Sequence, residues 1–258
     1  MADTVSSPQK VGLAYDQFII FGDSITQQSY NQGMGFGWGA QLQEVYSRKL
    51  DIINRGFSGY TTANAIKILD QFFPSPQTAN VRLMTIFFGA NDSVGKDHFQ
   101  HVSIEVYKEN LKKIIQHPAV QAQNPYIILM TPPPVNEYQL EQFDAEKSTP
   151  HPSRTAKNTK DYADVTRVIG KELNLPVADI WSAFMDVTGW KEGLPLPGSR
   201  DLPEIESLSA LFVDGLHPSP GGSKIIFNEV LTTIEKSLPD FAPMALPMIF
   251  PPFPEAPK

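Results

Sequence analysis

The chain has 258 residues, with 21 Lys and Arg against 28 Asp and Glu, a formal net charge of −7, and no cysteine. That balance, with no basic stripe to follow a phosphate backbone, argues against nucleic acid as a partner, and the missing cysteines remove disulfides, thiolate nucleophiles and Cys-ligated metal sites. The first ten residues are polar and no apolar run is long enough to span a bilayer, so the expectation is a soluble, cytoplasmic protein with no transmembrane segment.

Strand and helix patterns run nearly from end to end without a linker, which fits one α/β domain over residues 1–239. Residues 18–21 are all apolar and end at Gly22, the mark of a buried parallel strand that delivers the chain into a turn. Trp38, Leu42, Val45 and Tyr46 predict a helix over 38–49, and residues 51–54 return as a second strand. A helix over 62–73 stops at Pro74 and Pro76; residues 81–88 make a third strand that ends at Gly89. Ser103 caps a helix through Ile115, and residues 126–130 make a fourth strand closed by Pro132, Pro133 and Pro134. Residues 136–158 are polar and irregular, long for a connection and of the kind that serves as a lid. A helix over 160–172, a short strand over 177–180 and a last helix over 222–236 complete the unit.

This alternation predicts a three-layer α/β/α sandwich on a central, mostly parallel five-stranded sheet. The segment 240–258 differs. It is crowded with proline and apolar residues, cannot be regular helix or central strand, and is expected to lie extended on a surface, its own or a partner's.

Ligands of open α/β sheets sit beyond the carboxyl ends of the strands, so the residues that follow each strand are where chemistry should be sought. Three such places pair glycine with a small polar residue: Gly22-Asp23-Ser24, Gly56-Phe57-Ser58-Gly59 and Gly89-Ala90-Asn91-Asp92. Glycine lets a backbone N–H approach a ligand, and Ser and Asn supply a hydroxyl nucleophile and an amide donor. A serine needs a base, and the chain has five histidines. His98 and His101 lie near a helix start, His117 precedes Pro118 at a helix end, and His151 sits in the polar loop. His217 differs because Asp214 precedes it by three positions just before the last helix, placed to bond Nδ1–H and leave Nε2 free as base.

At these residues the sequence resembles the GDSL or SGNH hydrolase family. Gly22-Asp23-Ser24-Ile25 is similar to its first block, Gly59 fits the second, Gly89-Ala90-Asn91-Asp92 the third, and residues 214–217 the last. More narrowly, residues 54–60, 88–92, 131–137 and 214–217 look like the isoamyl acetate-hydrolysing esterase branch. The resemblance implies a flavodoxin-like fold and cofactor-free hydrolysis of short-chain esters by Ser24, His217 and Asp214. It further implies an oxyanion hole from the Ser24 and Gly59 N–H groups and the Asn91 side chain.

Other readings compete at single positions. Gly35-Phe36-Gly37-Trp38-Gly39-Ala40 formally matches a dinucleotide fingerprint, but it does not follow its strand directly, and the second strand ends in Asn54-Arg55 rather than an acid. Asp97, His98 and His101 lack a further metal ligand, so neither cofactor nor metal is expected. Phe36, Trp38, Phe57 and Tyr60 are the candidates to line an acyl or alcohol pocket, with core packing as their ordinary alternative. Segments 33–39, 136–158 and 190–211 are expected to fold over the site. The expected partner is a small-molecule ester, a homodimer is left open, and two other functions remain: acyl transfer by the same serine, or a non-catalytic binding module that uses the tail.

Overall fold

Alternate residues of a strand face opposite sides of its sheet, so a strand covered on both sides must be apolar throughout. β1 (Gln17–Gly22) meets that condition from Phe18 onward. Phe18 and Ile20 join one core with Trp38, Leu42, Ile226 and Val230, whereas Ile19 and Phe21 join a second with Ala65, Leu69, Leu111 and Ile169. The computed structural model describes residues 15–146 and 153–256. Its other strands are β2 (Asp51–Gly56), β3 (Val81–Phe87), β4 (Tyr126–Met130) and β5 (Val177–Ala178), all parallel, in the order β2-β1-β3-β4-β5.

The helices are α1 (Ser24–Gln27), α2 (Trp38–Val45), α3 (Thr62–Ile66), α4 (Leu69–Phe72), α5 (Ile104–Ile115), α6 (Pro118–Gln123), α7 (Glu137–Glu146), α8 (Ala156–Leu173), α9 (Ile180–Asp186), α10 (Glu206–Ser209) and α11 (Pro220–Ser237). α2, α9 and α11 pack on one face of the sheet, and α3, α4, α5 and α8 on the other, which is the expected three-layer sandwich. Strand order reverses between β1 and β3, where the connection from β1 leaves toward β2 on one side and that from β3 toward β4 on the other. Such a switch point opens a crevice at the carboxyl ends of the two strands.

Several elements depart from the sequence reading. The helix expected over 62–73 is two, because i→i+3 bonds from Lys67 N to Asn64 O (3.1 Å) and Ile68 N to Ala65 O (3.3 Å) tighten the chain between α3 and α4. That turn keeps Ala65 and Leu69 both fully buried. α2 ends at Val45 rather than Lys49, with Arg48 in the left-handed region at φ 61° and its carbonyl taken by Ile249 N at 3.0 Å. β5 is shorter than expected because Asp179 caps α9, its Oδ1 accepting from Ser182 N at 3.2 Å. α6 was not expected; His117 caps it, with Pro118 in its first turn.

The largest correction concerns residues 136–158, expected to be an irregular loop. They contain α7, anchored by buried Leu140, and the first turn of α8, capped by Thr155, whose Oγ1 accepts from Asn158 N at 3.1 Å. Residues 147–152 of this stretch, with His151, lie outside the described residues.

Beyond α11 the chain turns through Pro239–Phe241 and packs back near the amino ends of the strands. Phe241 is buried, against Tyr126 at the start of β4 and under the Arg82 guanidinium from β3, and its carbonyl accepts from Tyr46 Oη at 2.8 Å. Farther along, Arg48 Nη2 donates to Phe250 O at 2.7 Å, and Lys49 Nζ donates to Pro243 O. Among the described residues no helix is long and apolar enough to cross a membrane.

Candidate active site

The turn after β1 places Asp23 at the N-cap of α1, where its Oδ1 accepts from Ile25 N at 2.9 Å and fixes Ser24 as the first helical residue. The Ser24 N–H therefore has no partner within the helix. From the far end of the chain comes residue 217. The turn before α11 is closed by Val213 N to His217 O at 2.9 Å, and Asp214 Oδ1 accepts from Leu216 N (3.0 Å) and His217 N (2.7 Å). Its other oxygen, Oδ2, lies 2.7 Å from His217 Nδ1, while His217 Nε2 lies 2.9 Å from Ser24 Oγ. Burial alone would raise the Asp214 pKa, but the hydrogen bonds and charge of His217 hold the carboxyl below its ordinary value.

The loop after β2 approaches this turn closely. A Cβ on Gly56 would lie 2.0 Å from Gln27 N, so only glycine fits. Gly59 has φ +79°, also glycine territory, and the intervening Ser58 N donates to Gln27 Oε1 at 2.8 Å. After β3, Asn91 Nδ2 donates to Tyr60 O at 3.0 Å, and the adjacent Asp92 accepts from Thr62 N at 2.9 Å. Three strand-end blocks are thus joined by hydrogen bonds rather than merely adjacent.

Ser24, Gly59, Asn91, Asp214 and His217 line one cavity of about 560 Å³. Its apolar wall is Met34, Phe99, Phe143, Val213 and Leu216; its polar wall includes Gln28, Ser58, His98, Gln100, Asp144 and Arg154. The expected pocket aromatics are elsewhere, a correction with a packing cause. Trp38 is core, its indole N–H bonded to Ile25 O at 3.2 Å. Phe36 packs edge-on against Phe227. Phe57 stacks on Tyr60 and leans on Phe21 and Phe72. Tyr60 lines a neighbouring groove and reaches the site only through its carbonyl. Of the three segments expected to cover the site, 33–39 supplies Met34 and 136–158 supplies Phe143, Asp144 and Arg154, whereas 190–211 supplies no lining residue. His98 lines the cavity, its Nδ1 accepting from Gln100 N at 3.2 Å, while the His101 ring bonds Val94 O at 2.7 Å. No group of three metal-binding side chains occurs among the described residues.

The residue that sequence reasoning missed is Arg154. It is only 6% exposed, donates from Nε to Ala90 O at 2.7 Å and from Nη2 to Asn91 Oδ1 at 3.0 Å. Burial pulls its pKa down to about 10 against the attraction of Asp144, Asp23 and Asp214. The only signal in sequence was a lone arginine before the Thr155 cap, too little to single it out. Burial also pushes Asp23 up to about 7 and Asp92 to about 6, in each case against hydrogen bonds that favour the ionised form.

Residues 20–225 match the model of the GDSL-like Lipase/Acylhydrolase family. A GDSL esterase/lipase of Arabidopsis thaliana is 34% identical over 91% of this chain and 91% of its own length. The isoamyl acetate-hydrolyzing esterase 1 homolog of Homo sapiens is 33% identical over 93% of this chain and 87% of its own. Among solved structures, a lipase/acylhydrolase from Enterococcus faecalis superposes with a TM-score of 0.61 at 21% identity, over 86% of this chain and 96% of that one, a likeness of fold.

Proposed function

The chain belongs to the GDSL-like lipase/acylhydrolase family and is a carboxylic ester hydrolase, and we propose that it hydrolyses short-chain esters through an acyl-enzyme on Ser24. The observation that carries this reading is the hydrogen-bonded line Ser24 Oγ, His217 Nε2, His217 Nδ1, Asp214 Oδ2, assembled from residues 193 apart in the chain. A hydroxyl so placed can pass its proton to the imidazole as it attacks, and the carboxylate orients the ring and stabilises the imidazolium.

In the first half-reaction Ser24 Oγ attacks the ester carbonyl carbon and its proton moves to His217 Nε2. The tetrahedral oxyanion is held by the Ser24 and Gly59 N–H groups and by Asn91 Nδ2, donors already in place before charge develops. Collapse expels the alkoxide, which takes the proton from His217 and leaves as alcohol. In the second, water gives a proton to His217 and attacks the acyl-Ser24 carbonyl; collapse releases the carboxylic acid, and Ser24 recovers its proton.

A short acyl group is supported by the likeness to isoamyl acetate-hydrolysing relatives. The cavity volume, about 560 Å³, accepts a small ester whole. The test is hydrolysis of p-nitrophenyl acetate, butyrate, octanoate and palmitate. The reading expects turnover that falls with acyl length, and a preference for palmitate would overturn the short-acyl part. Product analysis with a competing alcohol separates hydrolysis, which yields free acid, from acyl transfer, which yields a new ester.

A further inference from the structure

A side-chain amide offers an N–H to an oxyanion in only one of its two orientations, and an oxygen there in the other. Nothing in the covalent structure of Asn91 chooses between them. Its surroundings do, because Nδ2 donates to Tyr60 O at 3.0 Å while Oδ1 accepts from Arg154 Nη2 at 3.0 Å. Reversal would set an NH2 against a guanidinium and an oxygen against a carbonyl. With one Nδ2 hydrogen spent on Tyr60, the second remains for the cavity that Asn91 lines with Ser24 and Gly59.

Arg154 is itself held firmly. Ser153 N donates to Asp144 Oδ2 at 2.9 Å, Gly95 N donates to Ser153 O at 2.8 Å, and Arg154 Nε donates to Ala90 O at 2.7 Å. Taking a guanidinium out of water is costly, and an apolar side chain of similar volume would fill the space more cheaply. A cation on the amide oxygen also draws electron density from nitrogen, which makes the remaining N–H a stronger donor.

We propose that Arg154 is a positioning residue for the hydrolysis: it locks and polarises the Asn91 amide so that the free N–H faces the oxyanion formed at Ser24. This rests on the serine esterase reading above. Because the oxyanion exists only after attack, the effect falls on kcat rather than KM.

The experiment compares kcat and KM for p-nitrophenyl acetate in the wild type, Asn91→Ala, Arg154→Met, Arg154→Lys and the Asn91→Ala/Arg154→Met double variant. Asn91→Ala is expected to lower kcat about 10²–10³-fold. Arg154→Met is expected to lower kcat roughly 10- to 100-fold with little change in KM, and Arg154→Lys, which keeps a cation, to lose less. Once Asn91 is alanine, Arg154→Met should cost less than about two-fold, since the group it acts through is gone. Full kcat in Arg154→Met, or losses that multiply in the double variant, would overturn the proposal. A wild type without Ser24-dependent hydrolysis would instead overturn the esterase reading. Should Arg154→Met not fold, Arg154→Lys and NMR of the 15N-labelled wild type carry the test. Of the two protons of the Asn91 side-chain amide, assigned by their loss in Asn91→Ala, one should be protected from exchange with solvent. Rapid exchange of both would refute the lock.

Discussion

The two ends of the sheet are built on opposite terms. At the carboxyl ends of β1 and β3, Asp23, Asn91, Asp92 and Arg154 are all buried, and their polar atoms bond one another's loops. At the amino ends, the proline-rich tail is fastened by buried Phe241 and Pro243 and by main-chain hydrogen bonds, while Met244 and Phe253 stand more than nine-tenths exposed. Buried polar atoms are expensive to leave unpaired, whereas exposed bonds exchange readily with water. Single-atom changes should therefore be felt sharply at the first end, and wholesale removal tolerated at the second.

The contrast can be broken in order of expected effect. His217→Ala should lower kcat by on the order of 10⁴–10⁶, and Asp214→Asn by about 10⁴, by analogy with other Ser-His-Asp enzymes; steady-state kinetics on a p-nitrophenyl ester reads both. Retention of a tenth of the activity by either would take the base from His217. Ending the chain at residue 242 keeps Phe241 but removes the Pro243, Phe250 and Pro251 carbonyls that Lys49 and Arg48 hold. Those three bonds, with Ile249 N to Arg48 O and the packing of Leu246 on the core, are worth about 2–4 kcal/mol, or about 4–12 °C in Tm for a domain this size, with kcat/KM unchanged within about two-fold. A collapse of activity at full folding would show that the tail belongs to the site.

The last effect is one of pH. Burial raises the folded-state pKa of Asp23 from 3.8 to about 7. Below its unfolded value the carboxyl is protonated in both states. As pH rises through the interval the unfolded chain releases its proton first, so Asp23 draws stability away, and the loss is complete above the folded value. Asp23→Asn keeps an acceptor for Ile25 N and removes the titration. Its Tm relative to wild type should climb between about pH 4 and about pH 7 and then level off; a constant difference would mean that the Asp23 carboxyl is already ionised in the folded chain throughout that range.

What was legible in the sequence follows from the same physics. Strands buried on both faces must be apolar, so β1, β3 and β4 announced themselves, and turns that require glycine or a cap carried Ser24, Gly59 and Asn91 in readable blocks. Asp214 and His217 were readable because their contact is local, three residues apart. α7 was hidden because its apolar contact rests chiefly on Leu140 and Phe143 in an otherwise polar stretch. Arg154 was hidden for a different reason: its partners, Ala90 and Asn91, lie more than sixty residues away, and no local pattern reports a contact made only by folding. The pocket aromatics were misplaced because an aromatic after a strand carries no mark that distinguishes core from cavity; Trp38 and Phe57 went to the core, and Phe99 and Phe143 line the site.

The central claim is that Ser24 is the nucleophile. Wild type and Ser24→Ala would be incubated with a fluorophosphonate, the adduct located by peptide mass spectrometry, and p-nitrophenyl acetate hydrolysis followed in parallel. The account predicts one adduct, on Ser24, formed in step with loss of activity, and neither labelling nor hydrolysis in a folded Ser24→Ala. An adduct on another residue, or undiminished hydrolysis by Ser24→Ala, would contradict it.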